Sequence, residues 1–484
     1  MKKIAYIFTL ILLNACNLSP VYEKPTVEIP RSFKEGTVTW KGATPKDFEN
    51  RANWWELFQD PILNNLQQDL LKNNHSIELA KAQYLESLEV VKEAKGSYFP
   101  TLNLTTADTR AKTISTSKKP FPATTANSAT VSFQTSWEPD FWGSVQNSVS
   151  QGQANAESNL AQIALSRVSA QASLAQYYFQ LRILDEIQEV WDEVLKTYDQ
   201  YLAFRTNSLA HGVVSPAEFF QAKAQQDSAR LQATDNTIAR AQYEHAIAVL
   251  LGINPSAFSI KREKSSYVIP RVPTVIPSDL LQRRPDIAKA ERFMASANAQ
   301  IGINKAAYFP SVSLSGSRGA QLASFSQLFT SPNLVWSLGL QLTQSIFQGG
   351  KQLSQVRASN QAYKQQVASY KQTVLTAFQE VEDALVTVKI LDEEAVFQDG
   401  ALNATERQGS IIKNQYTAGT ASQADIATSL FNVYTTRQSA LTLKGKRLQA
   451  AVTLIKVLGG GWNGLEQEEK TQEKTLSGEG SATK

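Results

Sequence analysis

A single cysteine, Cys16, occurs in 484 residues, so no disulfide can close within the chain and no cysteine-based zinc site can form. Histidine is almost as scarce. His75, His211 and His245 stand far apart with no metal-ligand spacing, and one of the two methionines is the initiator. Lacking a nucleophile–histidine–acid or metal constellation, the chain offers a surface hydrolase nothing to work with. Neither sign of charge dominates: the formal net charge is +4 and charged residues make up 19%, which asks for no nucleic-acid partner. Proline is missing from two long stretches, between Pro139 and Pro216 and after Pro332. A proline inside a helix costs about 3 kcal/mol, so its absence leaves both stretches open to very long helices.

The N-terminus carries the sharpest local signal. Residues 1–15 read as a signal peptide, with Lys2 and Lys3 before an apolar run, Ile4 to Leu13, too short to span a bilayer. The run ends in Leu13-Asn14-Ala15-Cys16, similar to the bacterial lipobox. That motif implies cleavage before Cys16 and acylation of its thiol and new amine, a durable lipid anchor. The alternative is a buried cysteine beside a cleaved peptide. Asn17, where an aspartate resembles the inner-membrane retention signal, points to the outer membrane. No cofactor is implied beyond this covalent lipid.

The chain is also written twice. Tyr98-Phe99-Pro100 recurs as Tyr308-Phe309-Pro310, and Phe141-x-Gly143 recurs as Phe347-x-Gly349. Gly212-x-x-Ser215-x-x-Glu218 recurs as Gly419-x-x-Ser422-x-x-Asp425, and Leu251-Gly252 as Leu458-Gly459. Four landmarks in one order at nearly constant offset mark a tandem duplication far longer than a solenoid repeat. The reading divides the chain into a lipidated segment (16–60), a first repeat (61–260), a second repeat (261–462) and a disordered charged tail (463–484). Each repeat runs through a helical stretch (62–97 and 279–306), two short strands around a loop, a very long helix, a tight turn and a return helix.

Strict alternation marks the strands: Leu102 to Thr105, Val131 to Gln134 with Ser136-Trp137, Ser311 to Ser315, and Trp336 to Thr343. Period two puts apolar residues on one face and small uncharged polar residues on the other. This suits an outer-membrane barrel strand with a wet inner side, although a half-exposed soluble sheet has the same pattern. Four strands cannot close a membrane barrel, for which about eight is the minimum, so several copies must share one. The helix from about Ser144 to Leu209 reaches on the order of 100 Å at 1.5 Å per residue. Leu174, Tyr177, Leu181, Leu184, Trp191, Leu195, Tyr198, Leu202 and Leu209 follow a heptad rhythm interrupted by Gln188 and Arg205. Val367, Tyr370, Val374, Val381, Val388 and Leu391 are the counterparts in the second repeat. The turns are punctuated by Gly212 and Gly419, each followed by a capping sequence starting at Ser215 or Ser422.

Longer runs now match a family. Pro20-Val21-Tyr22-Glu23-Lys24-Pro25; Trp55, Phe58, Asp60, Pro61 and Leu66; Trp137 to Gly143; Pro277 to Leu281 with Arg284-Pro285-Asp286-Ile287 and Glu291; and Leu458 to Trp462 together resemble the TolC family of outer-membrane efflux proteins, in its lipidated drug- and metal-efflux branch. The resemblance spans roughly 16–462. It implies a mostly α fold with a membrane β-barrel part: a homotrimer giving four strands per protomer to one twelve-stranded barrel, continued by a long α-helical barrel. It further implies a passive exit duct of a tripartite system, docked to a periplasmic adaptor and an inner-membrane pump, with no reaction of its own. Drug efflux is the preferred cargo class. Metal efflux, type I protein secretion and a non-pore lipid-anchored periplasmic scaffold are the alternatives.

In that family the hairpin tips form the constriction. The motif places it at Tyr416, Gly419, Ser422 and Asp425, with Gly212, Ser215 and Glu218 in the other hairpin. Three copies of Asp425 would make an acidic ring; the plainer reading is that Asp425 and Glu218 only cap helices. Ala424 and Thr428 stand where relatives often carry a bulky apolar residue and an aspartate, which implies a moved or looser seal. His211 is either a pH sensor or a solvated loop residue. The loops 110–129 and 318–334 are expected to face outside, the first weakly basic, or simply solvated, through Lys112, Lys118 and Lys119.

Overall fold

The computed structural model describes residues 17–28, 33–34, 51–113, 124–263, 267–270, 284–322, 334–462 and 464–476. The signal peptide, Cys16, Pro277 to Leu281, Lys118 and Lys119 lie outside the described residues.

A 3-10 segment, Arg51–Phe58, precedes α1 (Pro61–Asn73) and α2 (His75–Gly96). Then come β1 (Thr101–Thr113), β2 (Thr124–Trp137), α3 (Ser144–Ala210) and α4 (Pro216–Leu250). The second repeat supplies α5 (Pro285–Ala306), β3 (Ser311–Leu322), β4 (Leu334–Thr343), α6 (Lys351–Thr417) and α7 (Gln423–Val457). The duplication is metric as well as ordinal: α2 and α5 have 22 residues each, α3 and α6 have 67, and α4 and α7 have 35.

Three expectations need correction. The stretch 62–97 is two helices, because Asn74 ends α1 and caps α2, accepting from Ser76 N at 3.0 Å and Ile77 N at 3.0 Å. Its amide is also committed, donating to Leu250 O at 2.7 Å. The strands run well beyond the alternating cores, reaching Thr113 and Leu322 on one side of each loop and starting at Thr124 and Leu334 on the other. The expected loops 110–129 and 318–334 are therefore too long, and Lys112 belongs to β1. The tail reading fails for Leu465–Leu476, which is helix α8. Its Glu468 is buried and takes both Nη atoms of Arg167, at 2.7 and 3.1 Å. Charge in that stretch therefore serves a buried ion pair as well as solvation.

Two compact units emerge, and each draws on both repeats. The first spans 1–26, 83–159 and 289–370 and contains the sheet. Its strands form one antiparallel meander in the order β1-β2-β3-β4. The central seam pairs the two repeats, with Trp137 opposite Leu314 and Ala129 opposite Leu322. Trp142 adds a second tie, stacking on Phe309 at 4.7 Å and donating to Pro310 O at 2.7 Å. Residues after Cys16 are bound into this unit. Asn298 donates to Pro20 O at 2.9 Å, Asn147 to Asn17 Oδ1 at 3.0 Å, and the Tyr22 hydroxyl to the Glu291 carboxylate. Burial, and then that bond to Glu291, push the Tyr22 hydroxyl well above the usual tyrosine range.

The second unit spans 27–82, 160–288 and 371–484. Its aromatic centre joins Trp54, Trp55, Phe58 and Phe179, with Phe58 and Phe179 centroids 4.7 Å apart. Beside it lies a buried polar network. Asp60 caps α1 through Ile62 N and Leu63 N and accepts from the Tyr178 hydroxyl at 2.7 Å. Arg182 donates to that hydroxyl at 3.1 Å and to Lys261 O at 2.7 Å. Asp185 receives Arg240 Nε at 2.6 Å, and Arg240 Nη2 reaches Ile260 O at 2.6 Å. α3, α4 and the 260–261 segment are thus locked by groups that have left water and have few other partners.

Candidate functional site

Two surfaces are the candidates for function: the faces of the sheet and the tips of the hairpins. Residues paired across antiparallel strands share a face, so the registers assign every side chain. One face carries Leu102 and Leu104 of β1, Phe133 and Trp137 of β2, Val312 and Leu314 of β3, and Trp336, Leu338, Leu340 and Leu342 of β4. Most of these are exposed, Leu338 to 78%. The other face carries Asn103 and Thr105; Ser132, Gln134 and Ser136; Ser313, Ser315 and Ser317; and Ser337 and Gln341. Ser317 and Ser337 hydroxyls meet there at 2.8 Å. No helix among the described residues is long and apolar enough to cross a membrane, whereas this sheet has one face suited to lipid and one suited to water.

Both α3 and α6 end in the same turn. Gly212 and Gly419 take φ of +67° and +75°, the left-handed conformation that costs other residues a Cβ clash. The following residues close the turn by donating five residues back, Val213 N to Ser208 O at 2.8 Å and Thr420 N to Gln415 O at 2.9 Å. Ser215 and Ser422 then cap α4 and α7 with complete capping boxes. The shorter acid makes the tighter box. Asp425 Oδ2 lies 2.8 Å from Ser422 N and 2.7 Å from Ser422 Oγ, against 3.2 Å from Ser215 N to Glu218. These bonds from the Ser422 hydroxyl and amide hold the exposed Asp425 carboxyl below its ordinary value. Glu218 has a second partner in Arg205, at 3.7 Å.

The structure thus gathers Gly212, Ser215 and Glu218 in one turn and Tyr416, Gly419, Ser422 and Asp425 in the other; Tyr416 O accepts from Gly419 N at 2.9 Å. His211 is exposed, its ring nitrogen 2.8 Å from Asn207 O. Ala424 is half-buried and Thr428 exposed. Two apolar side chains at the first tip escaped the sequence reading: Val213, 74% exposed, and Phe220, 66% exposed. Val213 directly follows the turn glycine and Phe220 lies at the start of α4, and neither repeats at a period that marks it in the sequence.

Comparison with known proteins agrees with this geometry. Residues 66–253 and 276–460 match the family described as "Outer membrane efflux protein". The chain is 27% identical over 457 residues to the probable efflux pump outer membrane protein TtgC of Pseudomonas putida, covering 94% of each. It is 27% identical over 455 residues to the cation efflux system protein CusC of Escherichia coli, covering 93% of this chain and 96% of the other. Its fold matches the CmeC outer membrane channel of Campylobacter jejuni with a TM-score of 0.86 at 23% identity, over 95% and 98% of the two chains. With matched segments covering most of its length and a sheet built to separate lipid from water, the chain belongs to the outer membrane efflux protein family and is an outer-membrane efflux channel protein.

Proposed function

We propose that three copies share one twelve-stranded barrel and form the exit duct of a tripartite pump. The duct receives drugs and other small toxic compounds from an inner-membrane pump through a periplasmic adaptor, and Cys16 carries its lipid anchor. One observation carries this reading: among the described residues β1 and β4 are each paired on one side only. Edges of 13 and 10 residues left open in lipid would strand backbone groups at several kcal/mol each. Pairing β4 of one copy with β1 of the next removes both edges, and the polar face then lines the lumen. The scarcity of methionine and histidine favours organic over soft-metal cargo. The purified acylated protein is expected to run as a three-subunit assembly and to conduct ions in planar bilayers, and a deletion strain to become antibiotic-sensitive. A lone, non-conducting subunit overturns the proposal.

Tyr416, Gly419, Ser422 and Asp425, with Gly212, Ser215 and Glu218, form the constriction, and the Asp425 carboxylates gather into an acidic ring. Asp425→Asn is expected to abolish much of the cation preference read from reversal potentials at neutral pH. Because the Ser422 bonds hold the folded-state pKa below the ordinary 3.8, more than half of the charge is retained at pH 3.8 and the rest goes as pH falls through the lowered pKa. A wild-type preference that vanishes well above that value means repulsion within the ring outweighs the Ser422 bonds. An unchanged reversal potential in Asp425→Asn removes the ring altogether.

A further inference from the structure

The apolar face of the sheet carries a cation among its greasy rows. Arg318 of β3 pairs with Phe133 of β2 and with Trp336 of β4, so the three side chains stand in one row. Leu104 of β1, opposite Phe133, completes it. All four residues are exposed. The neighbouring rows are uncharged on these strands: Thr135, Gly316 and Leu338 on one side, Val131, Ala320 and Leu334 on the other. No carboxylate of the described residues forms an ion pair with Arg318.

Counting along β3 fixes its depth. The strand ends that lead into helices lie together, Thr101 opposite Ser136 and Ser311 opposite Thr343. Just beyond them Tyr98, Phe99, Tyr308 and Phe309 are exposed, an aromatic girdle at one interface. Arg318 stands nine residues beyond Phe309. At about 3.3 Å per residue and a tilt of roughly 40°, that is on the order of 23 Å, nearly the full ~25 Å height of an outward-facing apolar band. Trp336 and Phe133 therefore belong to the opposite girdle, on the side where the strand hairpins turn. Farther along the same face β1 turns charged at Asp108, Arg110 and Lys112.

A lipid-facing arginine is costly at the midplane and nearly free at the interface. At that depth the available anions are headgroup phosphates, which the planar guanidinium fork grips with two parallel bonds. Aromatic neighbours give its stem an apolar wall. We infer that Arg318, between Trp336 and Phe133, holds the phosphate of an anionic lipid in the leaflet facing outside. The inference rests on the sheet being inserted in the membrane, not on the number of copies sharing the barrel.

The test is native mass spectrometry of the full-length acylated protein in a phosphate-free detergent. The probes are diphosphorylated lipid A, the same lipid after dephosphorylation, and inorganic phosphate as competitor. The phosphorylated lipid is expected to form adducts that Arg318→Gln weakens roughly tenfold, that Arg318→Lys partly restores and that Arg110→Gln leaves intact. Equal binding of the dephosphorylated lipid by the wild type overturns the inference, and this arm holds even where Arg318→Gln fails to assemble. Displacement by inorganic phosphate at matched concentration, or undiminished adducts on Arg318→Gln, overturns it too. Adducts are counted on the intact assembly, so its mass reports the subunit number separately.

Discussion

Leu340→Arg is expected to destabilise the inserted protein by about 2–4 kcal/mol, whereas Gln341→Arg, one residue along the same strand, leaves stability nearly unchanged. Leu340 pairs with Leu314 on the apolar face, in the row of Trp137. That row lies near mid-depth of the band, where a charge meets hydrocarbon with no interface in reach. Gln341 pairs with Ser313 on the polar face and faces water, so its replacement by arginine should instead move reversal potentials toward anions. Urea unfolding from lipid vesicles measures the first effect and bilayer recording the second. Equal losses of stability at the two positions would mean that the faces do not divide lipid from lumen.

A second large effect is expected inside the helical unit. Asp185 is 7% exposed and meets Arg240 at 2.6 Å and Arg182 at 3.4 Å, and Arg182 itself is 1% exposed. Asp185→Ala leaves Arg182 in the interior without its carboxylate and Arg240 with Glu244 alone, at 3.3 Å, a loss of about 3 kcal/mol. Thermal unfolding followed by helical signal should show it as a large fall in midpoint. Replacing Arg182, Asp185 and Arg240 together with apolar residues of similar volume should recover much of the loss, because the expense lies in stranding a charge more than in forgoing the network. If Asp185→Ala unfolds like the wild type, the network has reached water or found other partners.

The long elements were legible because their signals repeat. An unbroken absence of proline and a heptad rhythm placed α3 within one residue of its observed end, and Gly212 and Gly419 placed both turns. Strict alternation identified four strands but not their length. Beyond the alternating cores, stretches such as Asp108 to Thr113 carry no period-two contrast, and only cross-strand pairing with Ala129 to Thr124 keeps them extended. Gln188 and Arg205, which read as flaws in the heptads, turn out to cross-link the hairpin. Gln188 accepts from Asn236 at 2.9 Å, and Arg205 reaches Glu218. The run Arg284-Pro285-Asp286 could be recognised but not explained from sequence. Its arginine binds Asp286 at 2.7 Å, Glu380 at 2.6 Å and Val457 O at 3.1 Å, partners nearly a hundred or more residues away in two of the three cases. At the tips the polar caps were legible, and exposed Val213 and Phe220 were not, because an unrepeated apolar side chain, in the turn or at the start of α4, has no periodicity to announce it.

The seam between β2 and β3 has a consequence for biogenesis. Each strand hairpin can zip from its own turn, but Trp137 finds Leu314 only after the whole α3–α4 hairpin has been synthesised and delivered. Until then β2 and β3 are as bare as β1 and β4, and a newly exported chain displays ladders of unpaired amides in the aqueous compartment. Such non-local pairing is slow and prone to wrong partners. The time between export and insertion is therefore when this protein most needs a chaperone that shields strand edges.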